Sequence, residues 1–479
     1  MTDQQKIPLP TALWQPHSID LTRHRHAGRL IGRDAGFALG KAQRQSHPRR
    51  NLAMLAERPT GVDALTLYAW SNHGRLADLQ PIRAQRMAVS PFAFFRGMPS
   101  LMLYDLAWEA NSGLFQQICG DCHLLNFGGF ASPERNLLFG INDFDETLVA
   151  PFEWDLKRLV VSLVIAATEI GEDTDTGERA IAQMFAAYRQ HLTEITEMSA
   201  LQVWYESIDV ADILAHTKDD EVRKVRRKRL ASAAERTTNS VLPKLTERDA
   251  VTGHRQFIDE PPLLRHPRAD EPFAQQVDAF FARYRDSLKY DRQVLFDRYQ
   301  CTDVALKVVG VGSVGTRSAV ALFEDGDREP LILQMKEASA SILTPLLRTP
   351  VGHEGQRIVQ GQQLMQPASD IFLGYASHSR RHTPFYVRQL RDMKISADLE
   401  LMDADYLVEY AKSCGYALAH AHGKAGNADV LMGYLGEGES ALFGLTRYAT
   451  DYAARNHADY QQFMQAIDTG KIACATDGA

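Results

Sequence analysis

The sequence predicts an α+β protein with a small part that contains a β-sheet and a larger, mostly helical part. The segment 301–337 has three β-rich runs, separated by a Gly-rich turn and by the turn signal EDGD. The segments on both sides of it read mostly as helices. The clearest of these is 151–171, which has a wide apolar face and a Gly at its end.

These patterns divide the 479 residues into four segments. Residues 1–100 are rich in Arg, His and Pro, and they predict an N-terminal extension of irregular structure that leads into a helix at 101–110. Residues 101–300 predict a helical part that carries the polar turns described below. Residues 301–390 predict the small part with the Gly-rich loop, and residues 391–479 predict helices that complete the large part.

Composition and charge narrow the class of protein. The net charge of −7 gives no overall signal for nucleic-acid binding, so no nucleic-acid partner is expected. The basic run 222–229 reads as the solvated face of a charged helix, with a local polyanion site as the alternative. The longest apolar run, 159–167, is too short to span a bilayer. With few, scattered cysteines, a cytoplasmic protein without membrane contact is expected.

Two segments place acidic residues directly after apolar runs. These are CGDCHLLNFGGF and FGINDFDET, at 119–130 and 139–147. Asp and Asn are also ordinary turn residues, which is the structural alternative. Two acid-bearing turns nevertheless suggest a metal site, and oxygen ligands suit magnesium better than zinc. The Cys-x-x-Cys pair in the first segment has no second pair for a four-cysteine zinc site, so we assign it no role. The candidate residues are Asp121, His123, Asn126, Asp143 and Asp145.

The sequence GVGSVG fits Gly-x-Gly-x-x-Gly through Gly310, Gly312 and Gly315. A dinucleotide-binding loop would open a helix, but a strand-like run follows here, which disfavours a nicotinamide enzyme. A strand, a glycine loop and two further strands instead match a phosphate-covering loop whose lysine lies on the third strand. Lys336 has that position, with an exposed strand-end lysine as the alternative. Glu354, at the start of the next helix, is its candidate partner, although Glu337 and a structural role for Glu354 stay open.

The polar turns resemble motifs of the aminoglycoside phosphotransferase and protein-kinase-like superfamily. GDCHLLN resembles the catalytic loop, INDFDE resembles the metal-binding motif, and EWDL resembles the segment whose Asp braces the catalytic loop. The resemblance implies ATP and Mg²⁺ as cofactors and gives each residue a role. Asp121 would accept the proton of the attacking hydroxyl, and His123 would stabilise the catalytic loop. Asn126 and Asp143 would bind magnesium, and Asp145 would be a second metal ligand or an acid in the turn. Asp155 would brace the catalytic loop, and Lys336 would hold the triphosphate together with the glycine loop.

The order of these motifs is inverted relative to kinases, because the catalytic loop precedes the Gly-rich loop. The resemblance therefore implies a circularly permuted, bilobed kinase-like fold. The helix that normally leads into the catalytic loop would be CGYALAHAHGKAG, at 414–426, with its end close to Gly120. The chain also resembles the bacterial family named domain of unknown function 2252 over about residues 45–430, through SPFAFFRG, GDCHLLNFG, NDFDETLVAPFEWDLKRL, GVGSVGTR and FYVRQLRDMK.

The resemblance implies an ATP- and magnesium-dependent phosphotransferase. Its acceptor would be a hydroxyl group on an unidentified small molecule or protein. Two alternatives stay open at this stage. The same fold supports AMP transfer if the triphosphate binds in the opposite direction, and a relative without catalysis would be a nucleotide-binding regulator.

Overall fold

The computed structural model describes residues 31–211, 238–269, 276–308, 314–347, 351–378, 382–390 and 395–475. The basic run 222–229, and with it the choice between its two interpretations, lies outside these residues. Gly310 and Gly312 also lie outside them. The described part is a mixed α+β structure with several sheets.

Helices make up most of the described chain. In chain order they are α1 (Arg33–Ser46), α2 (Ala64–Ser71), α3 (Gln80–Ala88), α4 (Pro91–Gly97), α5 (Pro99–Ala107), α6 (Glu153–Glu169), α7 (Thr174–Glu197), α8 (Ala200–Tyr205), α9 (Thr238–Leu245), α10 (Val277–Asp286), α11 (Tyr290–Phe296), α12 (Leu343–Leu347), α13 (Glu354–Met365), α14 (Ala404–Ala425), α15 (Ala428–Leu435) and α16 (Glu439–Asp468).

The strands form one large sheet and several small ones, and all the pairings are antiparallel. The large sheet has six strands in the order β11-β12-β10-β9-β8-β7, and the small sheets are β1-β4, β13-β2-β3 and β5-β6. The strands are β1 (Phe115–Ile118), β2 (Phe127–Ala131), β3 (Leu137–Ile141), β4 (Leu148–Pro151), β5 (Thr246–Arg248), β6 (Arg255–Phe257), β7 (Leu264–Arg265), β8 (Gln300–Lys307), β9 (Ser318–Glu324), β10 (Pro330–Glu337), β11 (Gly374–His378), β12 (Thr383–Gln389) and β13 (Ile395–Ser396).

The six-stranded sheet contains the predicted meander as β8, β9 and β10. The prediction that a strand follows the Gly-rich loop is confirmed by β9. An aromatic cluster that includes Phe280 and Phe281 of α10 and Phe296 of α11 packs against the sheet. This sheet and its core therefore use residues from 264 onward, beyond the predicted segment 301–390.

The helix α6 is at the centre of the large helical core. It is buried from Glu153 to Ala167, as expected for a helix that packs against neighbours on all sides. Three of its buried charged residues have partners in the interior: Glu153 accepts from Ser112, Lys157 donates to Glu109, and Arg158 donates to Asp121. The helix predicted at 151–171 is thus confirmed, and it carries polar groups into the interior.

The prediction of irregular structure before residue 100 is wrong for residues 31–100, which contain α1 to α4. The reason is that several polar residues there have interior roles that a hydrophobic pattern does not reveal. Arg83 is 1% exposed and donates to Asn72 and to the carbonyl of Gly97. The helix predicted at 101–110 is present as α5. Among the described residues, no helix is long and apolar enough to cross a membrane.

Gly415 allows α14 to approach α7 closely, because a Cβ at this position would lie 2.0 Å from the carbonyl oxygen of Met184. We expect Gly415→Ala to lower the free energy of unfolding by about 1–3 kcal/mol, although Ala alone favours a helix over Gly. Gly326→Ala is the control, since its Cβ meets no atom within 4 Å. Denaturant unfolding measures both, and a stabilised Gly415→Ala variant would contradict the close packing.

Candidate functional site

The segment that begins at Cys119 is held in place by one buried carboxylate. Asp155, in the first turn of α6, accepts hydrogen bonds from the backbone N–H groups of Cys119 at 2.8 Å and Gly120 at 2.9 Å. Gly120 has φ +82°, and a Cβ there would lie 2.5 Å from the carbonyl oxygen of Glu146. Both the backbone angle and the close contact require glycine at this position.

Asn126 joins the two acid-bearing turns. Its amide Nδ2 donates to the carbonyl oxygens of Asp121 and Asp143, each at 3.0 Å. Its Oδ1 accepts from the backbone N–H of Asp143 at 2.8 Å. The side chain that the resemblance assigns to magnesium thus contacts both turns through their backbones.

Asp121 forms an ion pair with a residue of α6. Arg158 Nε donates to Asp121 Oδ1 at 2.6 Å, and Asp121 lines a cavity. Burial raises the pKa of Asp121 above its ordinary value; Arg158 opposes this shift and Asp143 adds to it. His123 is 6% exposed, and its Nε2 lies 3.9 Å from Asp121 Oδ2.

Lys336 reaches from β10 to the second acid-bearing turn. The residue is 4% exposed, and its Nζ lies 2.5 Å from Asp145 Oδ2 and 3.5 Å from Asp143 Oδ2. Burial alone would lower its pKa, but the two carboxylates raise the pKa of Lys336 well above its ordinary value. Tyr386, which lies opposite Lys336 on β12, donates to Asp145 Oδ1 at 2.9 Å. Lys336 is therefore a buried, paired cation and not an exposed strand-end lysine.

Glu354 does not contact Lys336. It begins α13, as predicted, but its Oε2 accepts from Arg357 Nε at 2.5 Å, one turn along the same helix. Arg357 then reaches the carbonyl oxygens of Thr147 at 2.6 Å and Asp145 at 2.9 Å. The proposed partnership of Lys336 with Glu354 is thus replaced by the pair of Lys336 with Asp145, and Glu354 orients Arg357.

The described end of the Gly-rich loop is fixed by residues near α2. Gly315 has φ +90°, and its carbonyl oxygen accepts from the backbone N–H of Leu76 at 2.8 Å. Arg75 Nη1 donates to the carbonyl oxygen of Val314 at 2.6 Å. Sequence reasoning missed this contact, because a lone Arg after a helix carries no signal for a partner 239 positions away.

One cavity of about 270 Å³ brings these elements together. A larger groove of about 580 Å³ lies between α1 and α16, but none of the predicted site residues lines it. The cavity is therefore the candidate site. It is lined by Arg75, Arg96, Pro99, Asp121, His123, Leu125, Asn126, Asn142, Asp143, Asp145, Glu146, Thr316, Glu337, Ser339, Ile358 and Ser396.

The end of α14 also meets this site through Asp155. His422 Nε2 lies 3.3 Å from Asp155 Oδ2, and its Nδ1 lies 2.8 Å from the hydroxyl of Tyr188. Asp155 is completely buried, so it contacts the first acid-bearing turn on one side and α14 on the other. The segment predicted to end close to Gly120 therefore reaches the carboxylate that binds the Gly120 backbone.

The described residues contain no cluster of three or more His, Cys, Asp or Glu side chains that could hold a metal by themselves. Magnesium commonly takes only one or two protein carboxylates and completes its shell with phosphates and water. The Asp143 side chain is 42% exposed and lines the cavity, which fits such a ligand. Cys119 and Cys122 are both buried, and burial raises the pKa of Cys119 to about 11, so these thiols stay protonated near neutral pH.

The sequence matches, over residues 75–466, the family described as "Uncharacterized protein conserved in bacteria (DUF2252)". The match covers most of the chain, so the protein belongs to this family. It begins later and ends later than the expected 45–430. No curated protein and no solved structure gives a significant match.

The burial of His123 predicts that the free energy of unfolding falls at acidic pH. Burial, with the charges of Arg96 and Arg158, lowers the pKa of His123 well below 6.5, so the folded state holds it neutral. Below about pH 6.5 the unfolded chain binds a proton that the folded chain does not, and the free energy of unfolding falls by up to about 1.4 kcal/mol per pH unit. His123→Gln removes this contribution. Denaturant unfolding of both proteins between pH 7 and pH 5 should show a shallower slope for the variant, and equal slopes would contradict the assignment.

Proposed function

We propose that the protein is an ATP- and magnesium-dependent phosphotransferase that acts on a hydroxyl acceptor, with a bilobed, circularly permuted kinase-like fold. The observation that carries this proposal is the contact of Lys336 with Asp143 and Asp145. Lys336 and Asp145 are 191 positions apart in the chain. A strand lysine and a loop aspartate that share one phosphate-binding place are the central parts of a kinase-like site.

The permuted order is supported by the end of α14. In the kinase-like arrangement a helix leads directly into the catalytic loop, whereas here the loop comes about 300 residues before that helix. His422, near the end of α14, lies beside Asp155, which binds the backbone of Cys119 and Gly120. The six-stranded sheet would be the nucleotide-binding lobe, and the helices around α6 would be the second lobe.

Phosphoryl transfer depends mainly on positioning and on neutralising charge. Lys336 would hold the α- and β-phosphates, with Gly310, Gly312 and Gly315 of the covering loop. Asp143 would be the carboxylate ligand of magnesium, which supplies positive charge for the phosphate oxygens when bound. Asn126 would be the second ligand through a remaining lone pair of its amide oxygen. Asn126 and Asp143 line the cavity, and the roles of Lys336 and the glycines are those that the resemblance implies.

Asp121 would be the general base. Its carboxylate would accept the proton of the acceptor hydroxyl as the hydroxyl oxygen bonds to the γ-phosphorus and the bond to ADP breaks. A carboxylate whose pKa is raised accepts a proton more readily than one of ordinary pKa, which suits this role. Asp145 accepts from both Lys336 and Tyr386, which favours a role in orienting Lys336 over direct metal binding.

Transfer of label from ATP tests the proposed reaction. Two preparations of ATP, labelled on the α- or the γ-phosphate, are incubated with the protein, magnesium and a cell extract from which small molecules and proteins are later separated. Transfer of the γ-label supports the proposal, and transfer of the α-label shows AMP transfer instead. ATP binding without transfer of either label would contradict catalysis and would define a nucleotide-binding regulator.

Replacing Asp143 should weaken ATP binding, whereas replacing Asp121 should lower the rate of transfer. We expect Asp143→Asn to weaken magnesium-dependent ATP binding, since it removes the carboxylate ligand. Asp121→Asn should leave binding within about twofold and lower transfer by about a hundredfold or more, because only the base is lost. Calorimetric titration with Mg·ATP and the labelling assay measure the two effects. Full transfer activity in both variants would contradict both roles.

Lys336→Met tests the phosphate contact. The variant keeps the aliphatic stem but removes the buried ammonium group that contacts Asp143 and Asp145, so we expect a loss of stability of about 3–5 kcal/mol. Transfer should fall by orders of magnitude in the folded fraction, because the triphosphate loses its alignment. Lys412→Met, on the exposed face of α14, is the matched control. Unchanged thermal unfolding and unchanged transfer in Lys336→Met would remove the lysine from the site.

A further inference from the structure

Arg96 lies on the wall of the candidate site, beside the proposed base. It is in the last turn of α4, next to Phe95, whose carbonyl oxygen accepts from Arg158 at 3.0 Å. Arg96 lines the same cavity as Asp121 and His123, and its charge acts on both of them. The SPFAFFRG segment thus brings a second guanidinium to the side of the site where Asp121 lies.

Arg96 differs from the other arginines of this site in having no partner. Its Nε is shielded from solvent, yet it makes no hydrogen bond, and no ion pair of Arg96 is formed with any residue in the described part of the chain. Arg158, by contrast, is paired with Asp121, and Arg75 and Arg357 each donate to backbone carbonyls. A donor that is shielded from solvent is costly to leave without an acceptor, so we expect a ligand to supply the missing acceptor for the half-buried Arg96.

The charges around Arg96 indicate what that ligand carries. Burial lowers the pKa of Arg96 and the nearby Asp121 opposes this effect. A guanidinium group remains positively charged in proteins, so the ligand is expected to be an anion. A guanidinium binds planar or tetrahedral oxyanions through paired N–H groups. Lys336 and Asp143 are assigned to the nucleotide phosphates, whereas Arg96 is beside Asp121, where the acceptor hydroxyl has to lie.

We propose that Arg96 binds an anionic group of the acceptor, a phosphate or a carboxylate, and so positions the acceptor hydroxyl at Asp121. The inference rests on the proposed phosphotransferase function and specifies its substrate class as hydroxyl compounds that already carry a negative charge. Arg96 is a substrate-binding residue in this scheme, and it takes no part in proton transfer.

Titration with inorganic phosphate tests the inference. Binding is measured by calorimetry for the full chain with magnesium and a non-hydrolysable ATP analogue already bound. We expect saturable binding of phosphate by the wild type and a loss of about tenfold or more in affinity for Arg96→Gln. Arg96→Lys keeps the charge but loses the paired donors, and it should bind with intermediate affinity. Arg447→Gln, at an exposed position on α16, should bind like the wild type.

The other possible outcomes of the titration contradict either the role of Arg96 or the proposed function. Equal phosphate binding by the wild type and Arg96→Gln, or no phosphate binding by the wild type, would overturn the assignment of Arg96. Displacement of phosphate by the analogue would show that Arg96 serves the nucleotide and would also overturn it. Failure to bind the analogue is seen in a separate titration and contradicts the proposed function instead; Arg96 is then still tested with phosphate alone. Thermal unfolding confirms that both Arg96 variants are folded.

Discussion

The buried charge of Lys336 is the constraint on which the arrangement of the site depends. A lysine that is 4% exposed needs a close anion, because burying an unpaired ammonium group is too costly for a stable fold. Asp145 supplies that anion from a turn that belongs to the helical part of the chain. Tyr386 and Arg357 then bind the same turn from β12 and α13. The sheet and the turn at 143–147 are therefore fixed to each other through charged and polar contacts.

The same pairing has a consequence for ligand binding. Any phosphate that binds Lys336 has to compete with Asp145 for its ammonium group, and this competition brings phosphate oxygens towards Asp143 as well. Like charges at such distances repel strongly in a partly buried site. A divalent cation at Asp143 would offset this repulsion. Coupled dependence on metal and nucleotide thus follows from the proposed function and from the contacts of Lys336 together.

The sequence allowed the local elements to be predicted, because β9, β10 and α6 have clear hydrophobic patterns of the right period. It did not reveal β7, since a strand of two residues is too short to show alternation. Among the site residues, Asp143 and Lys336 were identified from motifs with characteristic spacing. The contacts of Glu354 could not be predicted in this way, because the sequence does not indicate which of several nearby cations a carboxylate binds. For the same reason the partners of the arginines at the site could not be predicted.

The anchoring of Gly315 by Leu76 bears on how the chain can be divided. The predicted boundary at residue 100 would separate the end of the Gly-rich loop from both residues that fix it, Arg75 and Leu76. The same cut would remove Arg96 from the cavity wall. A recombinant fragment made for biochemical work has to begin before residue 75 if it is to keep this loop in place. The last part of the predicted N-terminal extension, from residue 75 to residue 100, therefore belongs to the same structural unit as the candidate site.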